Sequence, residues 1–320
     1  MKKYLLPQQG EFYKANLHCH STESDGGLTP QQLKEVYQQH GYSIIAYTDH
    51  RKLIDHSDLT DQSFLALKGY ELDFTEELYP EQPFEFKKSS HFNLIAKSLS
   101  VNSEAVDAVF DGSNHTPESV NRMIHAANKS GFLVTYNHSR WSLANYTDYI
   151  PYEGLFAMEI YNYVSCVWAG IYDYTPHIYE DMLRAGKRLY CIAADDNHNI
   201  VSKTDPLFDS FGGWTMIKAE NLQYDTIISA MERGDFYASH GPVINSLYVE
   251  DNTLHITCEP AAEILFCQVG RNGKRYYDEA GNLTEAEFAL RPEQKYVWVS
   301  VRDIKGNWAN THAYFLDEIL

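Results

Sequence analysis

The chain of 320 residues, with 44% hydrophobic and 22% charged side chains, has the length and composition of a folded protein with one large core and a smaller one. Its formal net charge of -18, from 44 acidic and 26 basic side chains, disfavours an extended surface for nucleic acid or another polyanion. No apolar stretch approaches the roughly 20 residues that a membrane-spanning helix needs, so no membrane partner is expected.

The first three quarters of the chain alternate between helix and strand patterns. Three helices are predicted after Thr29, Thr116 and Thr175, because each threonine can cap a helix and is followed by proline. They end at glycines, which favour a helix C-terminus: Gly41, Gly131 and Gly186. A fourth helix is predicted over about residues 224–233.

Short apolar runs rich in β-branched and aromatic residues predict buried strands. These runs cover residues 43–47, 64–67, 92–96, 132–136, 156–160, 189–193 and 214–217. The repeated strand–helix order predicts an α/β domain over residues 1–240 and favours a TIM-like barrel with a parallel sheet.

The pattern changes after Gly241-Pro242, where alternating apolar residues are separated by turn dipeptides. Residues 241–320 are therefore predicted to form a small antiparallel β domain, sandwich-like in architecture. His240 lies at the junction of the two predicted domains, where a structural role is expected.

The placement of the histidines is more informative than their number, which is 14. His18 and His20 follow a short predicted strand, in which side chains two positions apart share a face. His50, His138 and His198 each follow a predicted strand. Because the carboxyl ends of parallel strands form one face of an α/β domain, we expect these imidazoles to converge there.

Carboxylates accompany these histidines. Glu71 and Asp196 each follow a predicted strand, and Asp25 lies in a glycine-rich turn after the first histidine pair. His91 precedes its predicted strand, so the strand-end rule does not select it. The convergence of imidazoles and carboxylates predicts a metal site at this face.

The segments HCHSTESDGGLTP, AYTDH, GYEL, HFNLIA, NHS and ADDNH, in this order, resemble the PHP (polymerase and histidinol phosphatase) family of metal-dependent phosphoesterases over about residues 10–240. The resemblance implies a distorted TIM-like (β/α)7 barrel with two or three divalent ions at the carboxyl ends of its strands. It also implies which residues hold each ion. The first would take His18, His20, Glu71 and Asp196; the second would share Glu71 and add His91 and His138; the third would take Asp25, His50 and His198.

The types of ligand do not select a metal, because imidazoles and carboxylates suit zinc, manganese and iron alike. Ions held by Glu71 and Asp196 would position a bridging hydroxide to attack phosphorus, which makes these two carboxylates the predicted catalytic residues. No serine or cysteine nucleophile is then required. The expected substrate is a small phosphorylated molecule of nucleotide or sugar-phosphate type.

Two alternative functions stay open. The same hydroxide would also attack the carbonyl of a carbamate or an amide. In the other alternative the barrel is inactive, and the β domain binds a sugar or a partner chain through its aromatic side chains, which are Tyr276, Tyr277, Tyr296, Trp298 and Trp308.

Four charged residues close to the predicted ligands each have two candidate roles. Arg51 and Arg140 follow ligand histidines and would clamp a phosphate, or form surface ion pairs. Asp49 and Asp195 adjoin ligands and would accept a hydrogen bond from an imidazole, or be solvated. Glu159 belongs to a predicted strand and is not counted as a ligand.

The cysteines favour a cytoplasmic location. The five cysteines form no CxxC pair, and their odd number leaves at least one unpaired, which suits a reducing compartment. The first residues contain only a two-leucine apolar run, so no export signal is expected. The sequence does not indicate an oligomeric state.

Overall fold

The computed structural model describes residues 2–77 and 81–320, and its elements follow the predicted order. The strands up to the domain junction are β1 Lys3–Tyr4, β2 Glu11–Asn16, β3 Ile44–Tyr47, β4 Leu65–Thr75, β5 Ser89–Ala96, β6 Phe132–Tyr136, β7 Ala157–Asn162, β8 Tyr190–Ala194, β9 Trp214–Ala219 and β10 Phe236–Ser239. The helices are α1 Pro30–Gln39, α2 Glu104–Asp107, α3 Pro117–Ser130, α4 Tyr146–Tyr149, α5 Tyr163–Val167, α6 Pro176–Arg184, α7 Tyr224–Arg233 and α8 Leu316–Ile319. Across the described ranges, no helix combines the length and the apolarity that crossing a membrane requires.

The predicted helix starts have different local chemistry. The hydroxyl of Thr29 accepts a hydrogen bond from the backbone N–H of Gln32, and that of Thr116 accepts one from Ser119, so α1 and α3 are capped as predicted. The side chain of Thr175 does not cap α6. Its backbone N–H instead donates to the carbonyl of Ile160 at 2.8 Å, which ties the start of α6 to β7.

The large sheet is mixed rather than purely parallel. Hydrogen-bonded neighbours run in the order β9-β2-β3-β4-β5-β6-β7-β8. The pairs β2·β3, β3·β4, β6·β7 and β7·β8 are parallel, whereas β5 is antiparallel to both of its neighbours and β9 is antiparallel to β2. The mixed α/β class is therefore confirmed, and the expectation of a parallel sheet is wrong at β5 and β9.

The two end strands of this order, β8 and β9, are joined by side chains. In the described residues no backbone ladder links them. The hydroxyl of Thr215 in β9 donates to the carbonyl of Ala193 in β8 at 3.0 Å and accepts from its N–H at 3.3 Å. The described strands therefore do not form the continuous backbone ladder of a closed barrel.

The strands of the large sheet pack around one buried apolar cluster. Each of β2 to β9 contributes a side chain to it, and α7 packs against it with Ile227, Ile228 and Met231. The strand residues are Ala15, Ile44, Ala46, Leu65, Leu67, Ile95, Leu133, Ala157, Ile192, Ile217 and Ala219. This apolar core lies beneath the strand ends that carry the predicted ligands.

The predicted antiparallel β region is present after residue 241. Its strands are β11 Ile244–Glu250, β12 Thr253–Ala261, β13 Glu263–Gln268, β14 Lys274–Tyr277, β15 Leu283–Ala289, β16 Tyr296–Arg302, β17 Trp308–Thr311 and β18 Tyr314–Phe315. One sheet has the order β1-β11-β12-β15, and β17 joins the other strands to the large sheet by pairing with β10. The domain boundary at residue 240 stays a prediction, since β1 pairs with β11.

His240 occupies the junction between the two sheets as a structural residue. Its Nε2 accepts the backbone N–H of Trp308 at 3.0 Å, and its ring stacks on Tyr161 with centroids 4.1 Å apart. Burial lowers the pKa of His240 from its usual 6.5 to about 4, and does the same for His312. Both imidazoles are therefore neutral in the folded chain at pH 7.

We expect each of these two histidines to make a contribution that lowers the free energy of unfolding as the pH falls from 6.5 to 4. Their pKa is depressed in the folded state, so the unfolded chain binds more protons over that interval, at a cost of up to roughly 3 kcal/mol per histidine. Urea unfolding of the metal-free chain at pH 7.5 and pH 5 measures the change in the free energy of unfolding. His240→Gln should remove this contribution, so that its free energy of unfolding at pH 5, relative to pH 7.5, is higher than that of the native chain, whereas His255→Gln, on a partly exposed imidazole, should behave as the native chain does. An unchanged pH dependence in His240→Gln would contradict the assignment.

Candidate metal centre

The structure brings all nine predicted metal ligands to one end of the strands. Their nitrogen and oxygen atoms form four overlapping groups, in each of which the ligand atoms lie within 4.8 Å of one another. The groups are His18, His20 and Asp196; His18, Glu71 and His138; His50, Glu71 and His91; and His20, Asp25, His50 and His198. Because the groups share members, the division of ligands among individual ions stays a prediction.

The innermost group is buried and has the atoms that a divalent cation requires. The Nε2 atoms of His18 and His20 lie 3.1 Å apart, and each is 3.0 Å from Oδ1 of Asp196. Asp196 holds this position with a left-handed backbone, at φ +55°, which is rare for a non-glycine residue. One proton cannot satisfy three convergent atoms of this kind, whereas a divalent ion can, so the residues fit a metal.

The carboxylate of Glu71 lies at the centre of the cluster. Its Oε1 is 3.1 Å from Nδ1 of His91 and 3.2 Å from Nε2 of His18, while its Oε2 is 3.1 Å from Nδ1 of His50. Burial alone would raise its pKa, but the surrounding imidazoles lower it well below the usual value. Glu71 belongs to β4 itself rather than following the strand, and its two oxygens face different histidines, as a bridging ligand requires.

The outermost group is more accessible. Asp25 is about half exposed, and its Oδ2 lies 3.6 Å from Nε2 of both His50 and His198. His50 is closer to Glu71 than to Asp25. The position of His50 therefore suits an ion held by Glu71 as well as the outer ion to which His50 is predicted to belong.

His91 reaches the cluster because of the direction of its strand. β5 is antiparallel to β4 and β6, so its beginning lies where its parallel neighbours end. Asp73 of β4 is the register partner of His91. A histidine near the start of β5 consequently meets the others, which the strand-end rule could not predict without the pairing.

Glu159 contacts two of the predicted ligands, His18 and His138, although the sequence did not mark it as part of the site. Its buried carboxylate accepts hydrogen bonds from Nδ1 of His18 at 2.8 Å, the backbone N–H of His138 at 2.8 Å and the amide of Asn162 at 2.9 Å. It directs the other nitrogen of His18 toward Asp196. The signal was present in the sequence, because a carboxylate in the apolar strand AMEIYN needs buried partners.

Asp49 and Asp195 play neither of the roles predicted for them. Asp49 accepts hydrogen bonds from the backbone and hydroxyl of both Ser21 and Ser24, and so fixes the loop after His20. Asp195 is fully buried and accepts from three consecutive N–H groups of residues 211–213 and from the hydroxyl of Tyr37. Burial raises its pKa to about 7 despite these bonds. Both carboxylates shape backbone loops around the site.

The two predicted substrate-binding arginines lie outside the cavity. Arg51 is paired with Asp73 through two hydrogen bonds, of 3.0 and 2.9 Å. Arg140 donates to the carbonyl of Tyr172 at 3.0 Å. Phosphate binding by either arginine stays a prediction, and in this arrangement it would require breaking these bonds.

A cavity of about 290 Å³ opens onto the ligand cluster. Its polar lining comes from Ser165 and seven of the predicted ligands: Asp25, His50, Glu71, His91, His138, Asp196 and His198. Its apolar lining consists of Phe84, Trp141, Val164, Trp168 and Ala169. In the described part of the chain no lysine or arginine lines it.

The chain shares its fold with a solved two-domain protein from Bacteroides vulgatus that contains a predicted PHP-like metal-dependent phosphoesterase. The two are 16% identical, and the match covers 97% of this chain and 98% of that one at a TM-score of 0.50. A candidate metal-dependent phosphoesterase from Bifidobacterium adolescentis, 17% identical, matches 71% of this chain and 97% of its own at a TM-score of 0.41, too low to add to the argument. No protein-family model and no curated protein sequence matches the chain. The predicted PHP-like resemblance is confirmed for the fold.

Proposed function

We propose that the protein is a metal-dependent phosphoesterase that hydrolyses a phosphate ester of a small molecule. The observation that carries the proposal is the convergence of six histidines and three carboxylates in one cluster, seven of whose nine residues line the cavity. A structural metal site would be closed by its ligands, whereas a catalytic site keeps one side open to substrate. The open side here is the cavity of about 290 Å³.

Two or three divalent ions, of zinc, manganese or iron, would be held by the nine ligands. Bound ions supply Lewis acidity toward phosphoryl oxygens and lower the pKa of water. The chain contributes the positioning. Glu71 is held by a hydrogen bond of 2.8 Å from the amide of Asn137, and His18 is held by Glu159, so neither ligand needs to reorganise when the site is filled.

The fold proposed for the large domain is a distorted barrel. The cluster shared by β2 to β9 and the Thr215 bonds between β8 and β9 support closure through side chains rather than through a ladder. We propose a sandwich for the region after residue 241, since residues of both of its sheets form one buried cluster.

A cytoplasmic location is proposed because the five cysteines are free thiols, which suits a reducing compartment.

Hydrolysis of a carbamate or an amide is the second candidate. The absence of lysine and arginine from the described lining of the cavity favours it, because a neutral carbonyl substrate needs no cationic side chain. The ligand cluster itself does not distinguish a phosphate ester from a carbamate or an amide.

A paired substrate screen separates the two functions. Protein loaded in turn with zinc, manganese or iron should either release phosphate from some monoester or convert some diester to a monoester and an alcohol, and inorganic phosphate should inhibit the reaction. Chelated protein should be inactive and should recover when metal is returned. Equal activity without metal, or turnover of carbamates alone, would contradict the phosphoesterase.

A further inference from the structure

Aromatic side chains stand at both ends of the ligand cluster. Trp141 lies against two of its imidazoles, those of His91 and His138, with ring centroids 5.2 and 4.9 Å apart. Phe84 packs on Trp141 at 5.9 Å. Trp168 lies at the other end, 5.4 Å from the ring of His198. A ligand in the cavity is therefore flanked by aromatic rings on two sides.

Both tryptophans are anchored by hydrogen bonds within the chain, Trp141 through its backbone and Trp168 through its indole ring. The backbone N–H of Trp141 donates to Asp173 at 3.3 Å, and the ring N–H of Trp168 donates to the carbonyl of Leu207 at 2.8 Å. Because these side chains are positioned by contacts within the chain, stacking on them requires little further ordering.

The charge of the cavity limits how many phosphates a substrate can carry. The described lining contains no cationic side chain, and the nearby Arg51 and Arg140 are bonded elsewhere. One phosphate can be neutralised by ions in the ligand cluster. A second phosphate on the same molecule would meet apolar walls, where an unpaired charge is unfavourable.

The volume of the cavity limits the size of the rest of the substrate. At about 290 Å³ it is slightly smaller than the range of roughly 300–1,000 Å³ that small-molecule sites occupy. This volume suits one ring and one phosphate group better than a base, a sugar and two phosphates.

We propose that the substrate is a phosphate monoester of an alcohol that carries an aromatic ring close to the ester oxygen, as in benzyl phosphate. The inference rests on the proposed phosphoesterase function and narrows it. The ring stacks on the walls formed by Trp141, Phe84 and Trp168, and the phosphate faces the ligand cluster. This proposal implies that nucleoside bisphosphates and sugar bisphosphates are poor substrates.

The first test compares esters whose alcohols leave with similar intrinsic ease. Metal-loaded protein is assayed with benzyl phosphate, methyl phosphate, a nucleoside 5′-monophosphate and a nucleoside bisphosphate. We expect kcat/KM for benzyl phosphate to exceed that for methyl phosphate by about tenfold or more, and the bisphosphate to be the weakest substrate.

The second test measures binding without turnover. Calorimetry gives the Kd of metal-loaded protein for benzylphosphonate and for methylphosphonate. Phe84→Ala should raise the Kd for benzylphosphonate about three- to tenfold and change the Kd for methylphosphonate by less than twofold. Phe86→Ala is the matched control, since Phe86 is also exposed, belongs to the same 3-10 turn and does not line the cavity. This variant should bind both phosphonates as the native chain does.

The outcomes separate the two proposals. If methyl phosphate, the nucleotide or the bisphosphate equals or exceeds benzyl phosphate, or if Phe84→Ala has no more effect than Phe86→Ala, the substrate class is wrong while the phosphoesterase stands. If no ester is hydrolysed but benzylphosphonate still binds in preference to methylphosphonate, the ring-binding cavity stands and the phosphoesterase is wrong.

Discussion

Replacing Glu71 by glutamine is expected to remove at least one metal ion from the purified protein and to lower phosphoesterase turnover by about 100-fold or more. Glu71 is the central carboxylate of the cluster, and both of its oxygens lie within 3.5 Å of histidine nitrogens. An amide of the same shape keeps one carbonyl oxygen but loses the charge and the second ligand oxygen. Because substitutions that only support a ligand already cost about 10–100-fold, loss of a bridging ligand should cost more.

The matched control for Glu71→Gln is Asp73→Asn. Asp73 lies two residues further along β4, and its carboxylate pairs with the exposed side chain of Arg51 outside the cavity. Because the Arg51 side chain is more than half exposed, solvent screens this pair, and because the Asp73 carboxylate bonds to Arg51 rather than to a predicted ligand, metal content and turnover should stay near native. Elemental analysis measures the metal content of both variants, and phosphate release measures their turnover. Full metal content with native turnover in Glu71→Gln would refute the bridging role, and equal losses in both variants would indicate a general disturbance of β4.

Asp196→Ala should also abolish metal-dependent hydrolysis. Its Oδ1 lies 3.0 Å from the nitrogens of both His18 and His20, so its removal takes away the only carboxylate of the innermost group. Glu71 and Asp196 thus have separate positions in the same cluster, and neither variant is expected to be rescued by the other residue.

Local features of the sequence predicted much of the fold. The threonine caps of α1 and α3 and the glycines that end the helices act within a few residues, so they could be recognised without knowing the tertiary structure. The apolar runs identified the strands for the same reason. The direction of β5 could not be predicted in this way, because it depends on hydrogen bonds to β4 and β6, which are distant in sequence.

The candidate site shows the same limit. His18, His20 and Asp196 could be selected because a ligand is recognised by residue type at a strand end, and Glu71 was selected because the predicted strand ended before it, although Glu71 lies within β4. The walls of the cavity could not, since Phe84 and Trp168 come from separate segments whose positions depend on tertiary contacts. The pairing of Arg51 with Asp73 could not be predicted either, because the two residues are 22 positions apart in the sequence and come together only in the folded chain. What the sequence misses is therefore the pairing between segments rather than the chemistry of single residues.

Glu159→Gln is expected to weaken metal binding and lower turnover by about 10–100-fold without unfolding the chain. The two carboxylate oxygens of Glu159 accept three N–H groups, from His18, His138 and Asn162. Glutamine has one acceptor oxygen, and its NH2 group would face one of these donors. His18 would then lose the bond that directs its Nε2 toward Asp196, which is a loss of orientation rather than of a ligand.

A chelator competition gives the metal affinity of Glu159→Gln, and urea unfolding of the metal-free chain separates positioning from folding. Glu153→Gln is the control, because the same change is made at an exposed site in the loop before β7. A positioning role predicts lower metal affinity in Glu159→Gln alone, with a much smaller change in the unfolding of the metal-free chain. Native metal affinity in this variant would show that Glu159 does not orient His18, and a collapse of stability with intact affinity would make it a structural carboxylate.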